Sequence, residues 1–101
     1  MKVLKIRVSK EKISEFCKKN HIKRLSFFGS VLRDDFRADS DIDVLVEFEP
    51  EYIPGFIRLY EIEYELSQLL GQRKIDLVTP KFLNHRIRDQ VLSQAEVQYA
   101  A

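Results

Sequence analysis

Residues 27–48 read FFGSVLRDDFRADSDIDVLVEF, and this stretch decides the fold. A strand ends at Gly29-Ser30, a polar loop covers Arg37 to Ser40, and a second strand runs from Asp41 to Phe48. In the second strand Ile42, Val44 and Val46 project to one face and Asp41, Asp43 and Leu45 to the other. Asp39, Asp41 and Asp43 place three carboxylates within five residues, and like charges this close repel unless a positive group joins them. Asp41 and Asp43 share a face with Cα atoms ~6.5 Å apart, so their oxygens can converge on one hard cation. The Gly29 backbone can approach a phosphate closely. Ser30 offers a hydroxyl and an N–H at the start of a short helix expected around Val31 to Asp34. Arg33, one turn on, offers a charge-assisted phosphate contact. Ser40, beside Asp41, is a further candidate nucleotide contact, with bracing of the loop as its alternative role. Arg37 is read as offsetting the acidic residues around it.

Outward from this stretch, Ile22 to Phe28 is rich in β-branched and aromatic residues and reads as a strand. Ser9 is placed to cap a helix running to about Asn20, with Ile13, Phe16 and Cys17 at helical spacing. Val3 to Val8 alternates weakly, as a short strand or an arm. On the C-terminal side, Glu49-Pro50-Glu51 reads as a loop. Pro54 suits the first turn of a helix reaching about Leu70, and Gly71 suits its stop. Lys74 to Thr79 is a third strand, and Pro80 opens a final helical region to about Glu96. Four helices alternating with three strands imply an α/β fold, a small mixed sheet packed against helices.

Asp76 sits between Ile75 and Leu77 in the third strand. If that strand lies beside Asp41–Phe48, Asp76 completes the acidic cluster, as a charge bracketed by buried residues that needs a partner or a metal. Mg²⁺ takes one or two carboxylates plus substrate phosphates, and a pair of such ions can serve both the attacking and the leaving oxygen. A calcium-binding helical-hand loop is excluded. Starting from Asp39, its sixth position must be Gly and its twelfth Glu, where this sequence has Val44 and Pro50.

With 101 residues, 45% hydrophobic and 33% charged, residues 1–101 read as one small domain with one core and no room for a second substrate-binding unit. A net charge of +1 lacks the basic excess of a nucleic-acid binder. The single cysteine, Cys17, forms no internal disulfide, and no zinc-ligand spacing exists. A cytoplasmic setting is expected, with no membrane segment.

Gly29-Ser30 followed after ten residues by Asp41-Ile42-Asp43 resembles the signature of the polymerase-beta-like nucleotidyltransferase superfamily. The string from Phe27 to Phe48 is similar to its smallest branch, the minimal nucleotidyltransferases, which are antitoxin partners of HEPN-domain toxins. KIDLVTP, from Lys74 to Pro80, resembles that branch's third-aspartate strand. The resemblance implies that Asp41 and Asp43 bind catalytic Mg²⁺ and that Asp76 is the third carboxylate, ligating metal and helping to deprotonate the acceptor. It also implies that Gly29 and Ser30 hold the β- and γ-phosphates, with ATP as donor and AMP transferred to a hydroxyl, in this branch a tyrosine of the HEPN toxin. One departure is Asp34, where that branch commonly has Gly after the motif arginine; Asp tolerates a positive φ better than most residues.

The long helix carries two apolar arcs: Leu59, Ile62, Leu66, Leu69 and Leu70, and beside them Phe56, Ile57, Tyr60 and Tyr64. Together they span roughly 240°, beyond the ≳100° stripe of a helix with one buried face. The second arc suits a partner surface and hetero-oligomer formation; a helix embedded on both sides is the alternative. His21, His85 and Tyr99 are read as structural or surface residues. Two other functions compete with an adenylyltransferase: a non-catalytic module that neutralises a HEPN partner by binding, and a nucleotidyltransferase acting on RNA or an antibiotic.

Overall fold

The computed structural model describes residues 9–33, 36, 37 and 39–101, without the Phe82 side chain. The expectations for Val3 to Val8 and for the turn at Asp34 lie outside the described residues.

Helix α1, Lys10–Lys19, is capped by Ser9, whose Oγ accepts from the Lys12 N–H at 3.3 Å. Lys18 and Lys19 occupy its last turn, where the helix dipole favours cations. Ile13, Phe16 and Cys17 form its buried stripe. Strand β1, Ile22–Phe28, follows directly. Its two exposed residues, Lys23 and Arg24, accompany a register shift against its neighbour. This bulge lets Ile22 and Leu25, three residues apart, both reach the core.

Strand β2, Ile42–Phe48, is antiparallel to β1. Ile42, Val44 and Val46 are fully buried in the core. Leu45, on the other face, is 2% exposed and stands outside that cluster. Helix α2, Phe56–Leu69, then crosses back to β3, Ile75–Val78, which pairs parallel to β2; a parallel pair requires such a crossover. Gly71, at φ +82, turns the chain out of α2. Helix α3, His85–Gln94, is capped by the Asn84 side chain accepting from Arg86 N–H, and β4, Glu96–Ala100, closes the sheet in the order β3-β2-β1-β4. The core lies between this sheet and the buried sides of α1 and α2.

Four details differ from the sequence reading. The final helical region stops at Gln94 and gives way to β4, antiparallel to β1. As an edge strand with Val97 exposed and Tyr99 partly buried against the core, β4 has only weak alternation and owes its conformation to pairing. The helix expected around Val31 to Asp34 is a 3₁₀ turn over Gly29–Leu32. Glu49-Pro50-Glu51 is tightened into a 3₁₀ turn over Pro50–Tyr52. Pro54 precedes the N-cap of α2, which is Gly55, so the proline lies outside the first turn.

The outer arc of α2 is open to solvent. Phe56 is 79%, Ile57 81%, Tyr60 71% and Tyr64 61% exposed, while Ile62 and Leu66 are buried. His21 stacks on Tyr52 with ring centroids 3.7 Å apart. Among the described residues no helix is long and apolar enough to cross a membrane.

Candidate active site

Strand register brings the singled-out residues to one end of the sheet. Phe28 pairs with Asp43 across β1 and β2, and Asp43 pairs with Asp76 across β2 and β3. The chain leaving β1 therefore turns at Gly29 directly over Asp43, and Asp41 stands two residues before it. Gly29 adopts φ +74, and a Cβ there would collide with the Asp43 carboxylate. Only glycine meets both conditions.

The 3₁₀ turn ties this corner together. The Ser30 backbone N–H donates to the Asp43 carboxylate, and Ser30 Oγ donates to the Asp41 carbonyl oxygen at 3.4 Å. Burial pushes the Asp43 carboxyl above its ordinary range. Repulsion from Asp76 and then Asp41 adds to the rise, while Arg33 and the Ser30 N–H oppose it. Arg33 thus acts electrostatically on Asp43, as a cation beside a phosphate site would.

Asp76 has a different environment from the one expected of it. Ile75 and Leu77 are buried, but Asp76 is exposed. Strand alternation turns its carboxylate to solvent, so desolvation places no demand on it. Its place in the site comes from lying opposite Asp43.

Two neighbours that the linear sequence did not single out steady the loop before β2. Arg73 Nη2 donates to the Arg37 carbonyl at 2.9 Å and the Ser40 carbonyl at 3.0 Å, and its guanidinium lies 4.7 Å from the Phe36 ring centroid. Lys74 Nζ is 3.8 Å from Asp41 Oδ2, and the Lys74 carbonyl accepts from the Ile42 N–H at 2.9 Å. The sequence separation of more than thirty residues hides these contacts until β3 is known to lie beside β2. Ser40 Oγ accepts from the Arg37 N–H at 2.9 Å, so it braces the loop.

Among the described residues no three His, Cys, Asp or Glu side chains are arranged to hold a metal ion. Asp41 leans instead toward Lys74. The donor set nevertheless fits Mg²⁺, which needs only one or two carboxylates beside phosphate oxygens. Asp41 and Asp43 are hard oxygen donors on one strand, and the repulsion that Asp76 and Asp41 exert on Asp43 is the kind a cation relieves.

The profile of the family described as "Polymerase beta, Nucleotidyltransferase" matches residues 11–100. MJ0435 of Methanocaldococcus jannaschii, which carries a provisional protein adenylyltransferase name, is 37% identical over 87 residues, covering 85% of this chain and 89% of that protein. A solved structure of a provisional minimal nucleotidyltransferase superposes with TM-score 0.71 at 35% identity, covering 85% of each chain. A complex of a tri-AMPylated HEPN toxin with its MNT antitoxin from Shewanella oneidensis shares the fold, with TM-score 0.66 at 22% identity over 91% of this chain and 70% of that one. The turn at Gly29-Ser30 facing paired aspartates, the mixed sheet and these matches agree: this chain belongs to the polymerase beta nucleotidyltransferase family and folds as a minimal nucleotidyltransferase.

Proposed function

We propose that this protein moves AMP from ATP to a protein hydroxyl, a tyrosine on a HEPN-type toxin, and so acts as a cytoplasmic antitoxin bound to that partner. The observation that carries the reading is the register that sets Asp76 opposite Asp43, beneath a turn where only glycine fits. The provisional adenylyltransferase name of the Methanocaldococcus relative and the AMPylated toxin bound by the Shewanella antitoxin support the choice of acceptor.

Asp41 and Asp43 are the residues to hold Mg²⁺, two ions in the full site, with Asp76 as third carboxylate. When bound, these ions supply positive charge against the triphosphate and the departing pyrophosphate. Gly29 and Ser30 hold the β- and γ-phosphates through backbone N–H groups and the Ser30 hydroxyl, and Arg33 adds a guanidinium. Asp76, solvated at the sheet edge, faces the side from which an acceptor can approach and takes the proton of its hydroxyl. The hydroxyl oxygen bonds to the α-phosphorus, the bond from that phosphorus to the bridging oxygen breaks, and pyrophosphate leaves. Catalysis is then mainly positioning and electrostatics.

The test is incubation with the HEPN-type product of the adjacent gene, Mg²⁺ and ATP labelled at the α-phosphate. Label on a partner tyrosine, lost in Asp41→Ala, is expected. A tight complex that never acquires label, and in which Asp41→Ala still neutralises the toxin, refutes the enzymatic reading. That outcome would favour the non-catalytic binding module, for which the solvent-exposed apolar arc of α2 already speaks.

A further inference from the structure

We infer that the acceptor protein presents its tyrosine on an extended segment that pairs with the outer edge of β3 and adds a strand beside Asp76. This rests on the nucleotidyl-transfer reading above and adds how the acceptor is held.

Register defines the edge. The sheet runs β3-β2-β1-β4, so among the described residues β3 is paired on one side only. In a parallel ladder the N–H and C=O of one residue point the same way, and successive residues alternate. The Ile42 N–H donates to the Lys74 carbonyl at 2.9 Å, which turns Lys74, Asp76 and Val78 toward β2 and leaves Ile75 and Leu77 facing outward. The Leu77 N–H accordingly donates away from the sheet, to Glu63 Oε2 of α2 at 3.4 Å. That is long for an N–H···O bond, and a backbone carbonyl can replace it at normal length. Only an extended backbone repeats a donor and an acceptor at the two-residue interval this edge offers.

The two faces of such a strand meet two different surfaces. Side chains on the Ile75 and Leu77 face meet a groove of about 130 Å³ between α2 and β3, with Tyr60, Glu63, Tyr64 and Ser67 on the helix side and Lys74 and Ile75 on the strand side. Tyr60 and Tyr64 are exposed, so the groove is continuous with the outer arc of α2. The alternate side chains share the face of Asp76, with Asp43 one strand further in. From the added strand to β2 is two strand spacings, roughly 9.6 Å. A serine or threonine hydroxyl stays at its own strand, whereas a tyrosine opposite Asp76 carries its hydroxyl across β3 toward the aspartates. The occupant is therefore an extended acceptor segment with a tyrosine for one face and an apolar neighbour for the groove.

The experiment is amide hydrogen exchange, read residue by residue by NMR, on the full chain alone and saturated with the HEPN-type product of the adjacent gene. The Ile75 and Leu77 amides should exchange faster than Asp76 and Val78 in the chain alone, then slow at least tenfold in the complex, while Asp76 and Val78, already bonded to β2, change little. In the labelling assay Glu63→Ala, which removes the competing acceptor, should lower the KM for the partner about threefold, the worth of one weak hydrogen bond; a thermal melt verifies its fold. A complex that forms and acquires label while Ile75 and Leu77 exchange as before overturns the inference alone, as does an unchanged or raised KM in Glu63→Ala. Ile75 and Leu77 as slow as their neighbours in the chain alone also overturn it, because the edge is then already filled, by a second copy where ultracentrifugation gives a dimer. A partner that neither binds nor acquires label overturns the underlying reading as well.

Discussion

Asp43→Asn should make the metal-free protein more stable while abolishing nucleotidyl transfer. The Asp43 carboxylate is partly buried, faces Asp76 across the β2–β3 ladder and is pushed above its ordinary pKa by burial and by Asp76 and Asp41. Like charges directly opposite on neighbouring strands cost roughly 0.2–1 kcal/mol, and partial exposure keeps this pair toward the lower part of that range. Asparagine removes the charge but keeps an oxygen that can accept from the Ser30 N–H; the lost attraction to Arg33 offsets part of the gain. A net gain of about 0.5 kcal/mol is expected, worth ~2–4 °C in Tm for a domain of this size. The pH dependence has a definite sign. The folded pKa of Asp43 lies above the unfolded one, so between the two the folded state holds more protons and stability falls as pH rises. Below the unfolded value both states are protonated and the penalty is absent; above the folded value it is complete.

The assay is thermal unfolding in a chelator at pH 3.5 and pH 7, then at pH 7 with Mg²⁺ and a non-hydrolysable ATP analogue. The variant should melt above wild type at pH 7, and the gap should shrink at pH 3.5. Ligand at a hundredfold excess over its Kd adds about 2.7 kcal/mol to wild type and far less to Asp43→Asn, which inverts the order. A variant no more stable than wild type at pH 7 in chelator, or a gap unchanged at pH 3.5, refutes the electrostatic account of this site.

Gly29→Ala should lose about 1–2 kcal/mol to the left-handed backbone alone, and the collision with Asp43 should also weaken nucleotide binding, measurable by urea titration and calorimetry. Arg73→Ala removes the brace on the Arg37 and Ser40 carbonyls; stability should drop by roughly 1 kcal/mol and kcat by more than Arg73→Lys lowers it, since lysine retains one donor. Ile57→Glu, at a position 81% exposed, should leave Tm within about 2–4 °C of wild type yet weaken the complex with the proposed HEPN-type partner in a pull-down or calorimetric titration. Deleting Glu96–Ala100 uncovers the β1 edge and Leu25, so the shortened chain should aggregate or melt far below wild type in light scattering and circular dichroism.

The elements legible in the sequence are those whose signals are local. Ser9 announces α1 because its cap bond closes within three residues, and Ile42, Val44 and Val46 announce β2 through strict alternation. The aspartate spacing and Gly29-Ser30 are local too, which is why the corner of the site could be read before any fold was known. The Asp43–Asp76 pairing could be stated only as a condition on strand order, and the parallel β2–β3 register meets it. What stayed hidden depends on which segments become neighbours. Arg73 and Lys74 look like ordinary surface cations until β3 lies beside β2, and Asp76 looks like a buried charge until alternation turns it outward.

The misread C-terminus follows the same logic. Residues 96–100 carry a weak pattern of their own, and ending the preceding helix at about Glu96 with no strand after it is the locally reasonable reading. The partner that overrides it is β1, whose free edge would otherwise leave a row of unpaired backbone groups. Because β4 returns antiparallel along β1, the end of α3 is delivered to the corner where β1 turns at Gly29. A helix continued to Glu96 would have carried Gln94 along its own axis with no reason to meet Gly29. The edge strand therefore does more than complete a sheet: its pairing with β1 holds the end of α3 beside the turn at Gly29, and a cleft of about 320 Å³ opens between them.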